Sequence, residues 1–128
     1  SYVYLCYGIH HLFNVVTGIK GTPHAVLVRG LEPIAGMDTM LARRKMQGLA
    51  PRITAGPGAL AQALGIDKKL NAKDLSGEEI WIADNGIVFQ ENQIVASPRV
   101  GVAYAEDHAL LPYRFYIKGN KYVSKPNS

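Results

Sequence analysis

Apolar residues alternate with other residues in the first quarter of the chain, and this period of two is typical of β-strands. One such run, residues 2–7 (Tyr-Val-Tyr-Leu-Cys-Tyr), ends at Gly8, and a second run covers residues 12–16. A loop containing glycine and proline follows over residues 17–23, and residues 24–31 are again apolar and β-branched. The pattern predicts a first strand before Gly8 and an antiparallel hairpin formed by the next two runs.

Helical spacing replaces the alternation in the middle of the chain. A helix is predicted over residues 36–48, where methionine and leucine recur at helical spacing and Gly48 closes the segment. A second, shorter helix is predicted over residues 57–64, because proline favours the first turn and Gly65 follows the end. The residues of this helix that we expect to face the core are Leu60, Ala63 and Leu64.

Extended segments return in the second half. Residues 79–82 and 87–89 are apolar and flank Asp84-Asn85-Gly86, and Asn-Gly favours the tight turn of a hairpin. Residues 93–103 and 114–123 supply two further extended segments. Because strands outnumber helices and follow one another in sequence, we predict an α+β fold: a single domain with a curved, largely antiparallel β-sheet and packed short helices.

Length and charge narrow the class of protein. The 128 residues, 48% of them hydrophobic, suffice for one compact domain with a buried core, and we expect residues 1–128 to form it. Lysine and arginine outnumber aspartate and glutamate by 14 to 10, which gives a formal charge of +4. This mild basicity favours a polyanionic partner without identifying one.

The cysteine count and the hydropathy indicate a compartment. Cys6 is the single cysteine, so it cannot form an internal disulfide, and a reduced intracellular setting fits best. No continuous apolar stretch reaches the roughly 20 residues that span a bilayer, and no signal-peptide pattern is present. We therefore expect a soluble protein without a membrane partner.

Aromatic residues are concentrated at the start of the chain. On an extended strand Tyr2 and Tyr4 point to one face and could form a stacking platform. A sharp turn at Gly8 would push Tyr7, with Ile9 and His10, outward as a ridge. Platform and ridge would suit a flat aromatic partner. The same pattern is also that of an ordinary half-buried strand, and the alternation does not decide between the two interpretations.

Two polar residues interrupt apolar strands. A guanidinium such as that of Arg29 is costly to bury unless an acceptor meets it, and either Glu32 or a carboxylate elsewhere could be the partner. A structural ion pair and a functional role are both open. The amide of Asn14 likewise requires hydrogen bonds, from the backbone or from the polar edge of a ligand.

Several common active-site patterns are absent. His10 and His11 are adjacent, so they face opposite sides of a strand, and without a Cys pair or a His-x-Glu pattern we predict no metal site. The sequence has no Gly-x-Ser-x-Gly and no Walker phosphate-binding loop. No cofactor is therefore indicated.

Five blocks taken together resemble the alkyladenine (3-methyladenine) DNA glycosylase family, in the block order of that family. They are residues 2–14, 25–33, 56–66, 99–102 and 114–119. The resemblance implies base-excision DNA repair, in which a flipped alkylated or deaminated purine is removed from duplex DNA by hydrolysis of its N-glycosidic bond. It further implies a monomeric, DNA-associated protein whose partner is double-stranded DNA.

The family motifs assign roles to individual residues. By this resemblance Tyr4 stacks on the flipped base, Asn14 lines the pocket and disfavours guanine, and Arg29 positions the water nucleophile and the adjacent phosphate. Tyr7 is the wedge that fills the gap left in the duplex. The other residues that the resemblance implicates are Ile9 and His10 in the minor groove, and Gly101 and Lys68 at the DNA backbone.

The chain departs from the family pattern in two places. The general base of the family is a Glu in a Glu-x-Tyr strand upstream of these blocks, and these 128 residues contain no counterpart. We therefore expect the chain to cover the C-terminal two thirds of a family domain and to be inactive alone. Ala59 stands where many members carry a basic residue. The alternatives are a non-catalytic nucleic-acid-binding module and a structural domain whose tyrosines all lie in the core.

Overall fold

The computed structural model describes residues 2–6, 10–17, 24–99 and 111–124. Two α-helices, α1 and α2, and five strands, β1 to β5, make up its regular structure together with three short 3-10 helices. The strands are β1 (Tyr2–Cys6), β2 (His10–Val16), β3 (Ala25–Leu27), β4 (Ile94–Ser97) and β5 (Arg114–Ile117). The helices are α1 (Met37–Arg44) and α2 (Pro57–Leu64), and the 3-10 helices are Pro51–Ile53, Lys68–Leu70 and Glu91–Gln93.

β1, β2 and β3 form one antiparallel sheet with β2 in the middle. Phe13 of β2 lies opposite Val3 of β1, and Asn14 lies opposite Leu27 of β3. The amide of Val28 donates to the carbonyl of Phe13 at 3.0 Å, so the ladder continues past the end of β3. The predicted antiparallel pairing of the second and third runs is confirmed.

α2 packs across β2 and fixes the core on one side of this sheet. The side chains of Val3, Phe13, Ala61 and Ile66 are buried together there. The predicted bounds of α2 are confirmed, and Gly65 ends the helix in the left-handed conformation, with φ 68°. Leu60 and Ala63 are fully buried and Leu64 is half-buried, as the predicted apolar side of the helix requires.

α1 packs against α2 and contributes to a second cluster. Met46, Ile53, Ala63 and Tyr122 are its buried residues. The helix is shorter than predicted, because it ends at Arg44 rather than at Gly48. Lys45 takes the left-handed conformation (φ 54°), and the amide of Met46 closes on the carbonyl of Leu41, so the helix stops before any glycine is needed.

The predicted hairpin over residues 79–89 is wrong. No strand is present there, and Trp81 forms only an isolated bridge with Ser76. The turn signal is satisfied locally, since the side chains of Asp84 and Asn85 accept hydrogen bonds from the amides two residues ahead. The two flanking apolar runs do not pair with each other, since Trp81 and Ile82 bond instead to Ser76 and Leu75, and Val88 is 86% exposed.

β4 and β5 form a separate antiparallel pair, in which Ile94 lies opposite Ile117 and Ser97 opposite Arg114. The α+β class and the antiparallel pairing are therefore confirmed, while the described strands divide between two sheets instead of one. The two predicted extended segments, 93–103 and 114–123, contain β4 and β5 at their starts. No described helix is long and apolar enough to cross a membrane.

Candidate functional site

The sheet places the predicted pocket residues close together across its strands. Tyr4 of β1 lies opposite Leu12 of β2, and Asn14 lies two rows away, opposite Tyr2, with the pair Val3 and Phe13 between them. Asn14 is buried, and its Nδ2 lies 3.5 Å from the carbonyl oxygen of Leu12. A buried amide in the central strand holds its position firmly because the strands on both sides fix the backbone that carries it.

Arg29 reaches the same rows from the other side of β2. Leu27 is paired with Asn14, and continuing that register by two residues brings Arg29 beside Leu12, in the row of Tyr4. Adjacent strands are about 4.8 Å apart, so the backbones of Tyr4 and Arg29 are separated by roughly 10 Å. The sheet thus collects Tyr4, Asn14 and Arg29 within three successive rows.

The backbone around Arg29 is held from two directions. The amide of Gly56, just before α2, donates to the carbonyl of Arg29 at 2.8 Å, and Gly30 forms a bridge with Ala55. On its other side Gly30 lies close to the backbone of Tyr122. A Cβ at this glycine would stand 2.7 Å from the Tyr122 carbonyl oxygen, so only glycine fits there.

The side chain of Arg29 carries a buried nitrogen that finds no acceptor in the part of the chain that the structure describes. It is half-buried, and its Nε is enclosed without a hydrogen-bond acceptor within the described residues. Glu32 does not fill this role, because its carboxylate accepts from Nδ2 of Asn120 at 3.4 Å. The structure therefore contradicts Glu32 as the partner, for the physical reason that the glutamate turns toward the chain after β5.

A second guanidinium shares the surroundings of Arg29. Burial lowers the pKa of Arg29, and repulsion from the charge of Arg114 lowers it further. Arg114 is itself buried; its Nη2 donates to the carbonyl of Ser124 at 2.6 Å, and its guanidinium lies 4.6 Å from the ring centre of Tyr116. An anion bound beside Arg29 would offset both of these effects.

The two arginines line a cleft of about 930 Å³ between the β3 segment and β5. Arg99, whose guanidinium lies 5.7 Å from the ring centre of Tyr113, lines it as well. Planar guanidinium groups bind carboxylate and phosphate oxygens through paired hydrogen bonds. The cleft is therefore suited to an anion, and Arg29 offers the buried N–H that such an anion would satisfy.

Sequence reasoning missed Arg99 and Arg114 as candidates. A signal existed for Arg114, because it opens the run Arg-Phe-Tyr-Ile and so is a guanidinium attached to an apolar strand, as Arg29 is. Nothing in the sequence showed that β3 and β5 would line one cleft, since they are separated by more than eighty residues.

Lys68 stands at the opposite edge of the sheet. It is exposed, and it begins a 3-10 helix whose preceding residue, Asp67, accepts a hydrogen bond from the amide of Lys69. This turn contacts β1, whereas Arg29 follows β3. The two predicted DNA-contacting cations therefore flank the sheet and do not meet.

Of the remaining predicted site residues, the structure describes only His10. His10 begins β2 and pairs with Cys6. Tyr7, Ile9 and Gly101 lie outside the described residues. Within the described part of the chain, no three His, Cys, Asp or Glu residues come together in a way that could hold a metal ion.

Comparison with known proteins gives a consistent answer. The sequence model of the methylpurine-DNA glycosylase family matches residues 1–121. A protein of Carboxydothermus hydrogenoformans named "Putative 3-methyladenine DNA glycosylase" is 47% identical over 98% of this chain and 63% of its own length. Proteins of the same name from Methanoculleus marisnigri and Desulfitobacterium hafniense are 45% and 43% identical, over 98% and 97% of this chain and 64% of their own lengths.

The chain spans about 63% of the length of the first of these relatives. The family match nevertheless covers nearly all of the chain, including the strands that carry Tyr4 and Asn14 and the segment after β3 that carries Arg29. On this evidence the chain belongs to the methylpurine-DNA glycosylase family.

Proposed function

We propose that the protein acts in base-excision DNA repair and removes alkylated or deaminated purines, of the 3-methyladenine and hypoxanthine type, from duplex DNA. The observation that carries this proposal is Arg29, a half-buried cation without an acceptor in the described residues, in a cleft beside the row of Tyr4. In a DNA glycosylase family, that is the arrangement expected of a group that meets a phosphate or a catalytic carboxylate.

Recognition requires the damaged nucleotide to leave the base stack, because its C1′ is unreachable within a duplex. In our proposal Tyr7 fills the space left behind, flanked by Ile9 and His10 in the minor groove. The flipped base stacks on Tyr4. The buried amide of Asn14 disfavours guanine. The exocyclic amino group of guanine would need a hydrogen-bond acceptor, and the side chain of Asn14 does not turn to provide one.

In our proposal three residues contact the DNA backbone, and two of them, Lys68 and Arg29, lie at opposite edges of the sheet. Lys68 attracts a phosphate by its exposed charge, and the amide of Gly101 donates to another. Arg29, at the far edge, contacts the phosphate next to the flipped nucleotide. This proposal accounts for cations on both flanks of the strands that carry the base pocket.

Hydrolysis requires one group that the 128 residues do not supply. Water oxygen attacks C1′ of an oxocarbenium-like sugar, the C1′–N bond breaks, and its electron pair leaves with the purine. The proton of the water passes to a carboxylate, which we assign to a Glu upstream of this chain. The same carboxylate would lie beside Arg29, orienting the water and compensating the guanidinium. The reaction needs no metal or cofactor in this scheme.

The test uses the gene product that carries this chain and duplexes with a single hypoxanthine or 3-methyladenine. We expect abasic sites from the damaged duplexes and none from a duplex with adenine at that position. Residues 1–128 alone should bind duplex DNA without cutting it. If the gene product leaves both damaged duplexes intact, the proposal fails.

One observation favours a second candidate, a nucleic-acid-binding module without catalysis: the formal charge of +4, which favours a polyanion whether or not it is cut. Such a module would bind duplex DNA in a salt-sensitive way, and Tyr7→Ala would weaken the binding. It would form no abasic sites even with the upstream segment present. The excision assay therefore separates the two candidates. We further propose that the protein acts as a monomer.

A further inference from the structure

β1 is an edge strand of its sheet, and one side chain from a distant part of the chain holds it. The amide of Val3 donates to Oδ1 of Asn71 at 2.9 Å, across 68 residues of sequence. Because this amide points away from β2, Val3 and Phe13 are a pair that exchanges no backbone hydrogen bonds. The neighbouring pairs, Tyr2 with Asn14 and Tyr4 with Leu12, are then the hydrogen-bonded ones.

Asn71 is itself firmly placed. It follows the 3-10 helix Lys68–Leu70, and its amide donates to the carbonyl of Lys68 at 3.1 Å. Asp67 accepts from the amide of Lys69 at 2.9 Å and from that of Leu70 at 3.0 Å, through its side chain and its carbonyl respectively. The turn that carries Lys68 and the residue whose side chain bonds to β1 are therefore joined by backbone hydrogen bonds.

The contact lies over the apolar core. Val3 is 5% exposed and belongs to the buried cluster with Phe13, Ala61 and Ile66, and Leu70 packs against that cluster. The hydrogen bond is partly buried, with Asn71 itself exposed, so water would replace a lost acceptor only in part. β1 would then be free to fray or to shift along β2, since an edge strand is paired on one side only.

We propose that Asn71 is a positioning residue for base recognition. It sets the register of β1, and thus of Tyr4, relative to the turn that bears Lys68. This inference rests on the proposed function, because it joins the strand of the base pocket to a turn that contacts the DNA backbone. A phosphate bound at Lys68 then fixes where the flipped base arrives relative to Tyr4.

The experiment compares Asn71→Leu, which cannot accept the amide, with Asn71→Asp, which can. Asn85→Leu is the matched control, because Asn85 also accepts a backbone amide, that of Ile87, but within an exposed local turn. The gene product is mixed with a duplex carrying hypoxanthine next to 2-aminopurine, whose fluorescence rises when its neighbour leaves the stack. Flipping and single-turnover excision are measured, together with binding of undamaged duplex.

Asn71→Leu should reduce excision by about tenfold or more and reduce the fluorescence rise, because small displacements of positioning groups cost large factors in rate. Its binding of undamaged duplex should stay within about twofold, since Lys68 and its charge are kept. Asn71→Asp should restore excision to within about threefold of wild type, and Asn85→Leu should match wild type. Hydrogen exchange at the Val3 amide should accelerate in Asn71→Leu alone.

Two results would overturn the inference while the proposed function stands: wild-type flipping and excision in Asn71→Leu, or an Asn71→Asp variant as impaired as Asn71→Leu. A wild-type protein that forms no abasic sites would instead contradict the proposed function itself. The hydrogen-exchange measurement is made without DNA. It therefore tests the hydrogen bond between Asn71 and the Val3 amide whether or not the protein excises damaged bases.

Discussion

The arginines of α1 and the arginines of the cleft differ in how their charges are accommodated. Arg43 donates from Nη1 to the carbonyl of Ala63, at the end of α2, at 3.1 Å. The Nε of Arg44, like that of Arg29, is buried without an acceptor among the described residues, but its other guanidinium nitrogens donate to Oε1 of Gln62 at 2.8 Å and to the carbonyl of Arg52 at 3.1 Å. These guanidinium groups connect two helices and satisfy carbonyl groups near a helix end.

No side-chain hydrogen bond of Arg29 is found among the described residues, and the charge that lowers its pKa is that of a second cation, Arg114. The sequence contains the basic run Arg43-Arg44-Lys45, whereas Arg29 is a single arginine in an apolar segment. Whether a cation awaits a ligand is decided by the acceptors around it, and the number of neighbouring charges is a poor guide.

The largest expected effect is on excision by Arg29→Met. Removing one group that stabilises charge at the reacting centre typically costs about a hundredfold in rate, and we expect a loss of that size for the gene product acting on a hypoxanthine duplex. Arg52→Met is the matched control, because Arg52 is exposed and contributes only its carbonyl to the contacts described above. Excision by Arg29→Met within twofold of that control would contradict the assignment.

The next effect concerns the glycine that follows Arg29. In Gly30→Ala, the new methyl group would meet the backbone carbonyl of Tyr122, and the resulting shift should lower the free energy of unfolding by about 1–3 kcal/mol, measured by urea denaturation. Gly48→Ala is the control, because a Cβ there meets nothing within 4 Å. Equal stabilities for the two variants would show that the segment after β3 is not confined as described.

A smaller effect is expected from Arg44→Met. The variant loses the hydrogen bonds to Gln62 and Arg52 and should reduce the free energy of unfolding by about 1 kcal/mol, because both contacts are exposed to solvent. Excision per folded molecule should not change. A loss of excision without a loss of stability would place Arg44 in the DNA interface and remove the contrast with Arg29.

The helices could be predicted from the sequence because their signals are local. Pro57 and Gly65 bound α2 as predicted, and the residues between them bury one side. The hairpin predicted around Asn85 and Gly86 does not form. The turn signal is local and is satisfied, but the flanking strands would each need a pairing partner, which the local sequence does not reveal. The antiparallel pairing of the strands near the start of the chain was predicted correctly, because β2 lies between β1 and β3 and pairs with both.

The candidate site was predictable to a similar extent. Arg29 and Asn14 could be singled out as polar residues in apolar segments, and the register of β2 with β3 places them two rows apart. Arg114 and Asn71 could not, since their importance depends on contacts between distant segments: a cleft shared with β3 and a hydrogen bond to Val3. A sequence pattern shows that a polar residue in a strand requires a hydrogen-bond partner. Which residue is that partner depends on contacts between segments that are distant in sequence.

The most direct test of the contrast between the two arginine groups is the salt dependence of DNA binding. Dissociation constants of the gene product, Arg29→Met and Arg44→Met would be measured over a range of salt concentrations, with a duplex carrying a stable abasic-site analogue. Each lost phosphate contact lowers the slope of the log Kd against log salt plot by about 0.9. We predict that decrease for Arg29→Met and an unchanged slope for Arg44→Met; the reverse result would contradict the account.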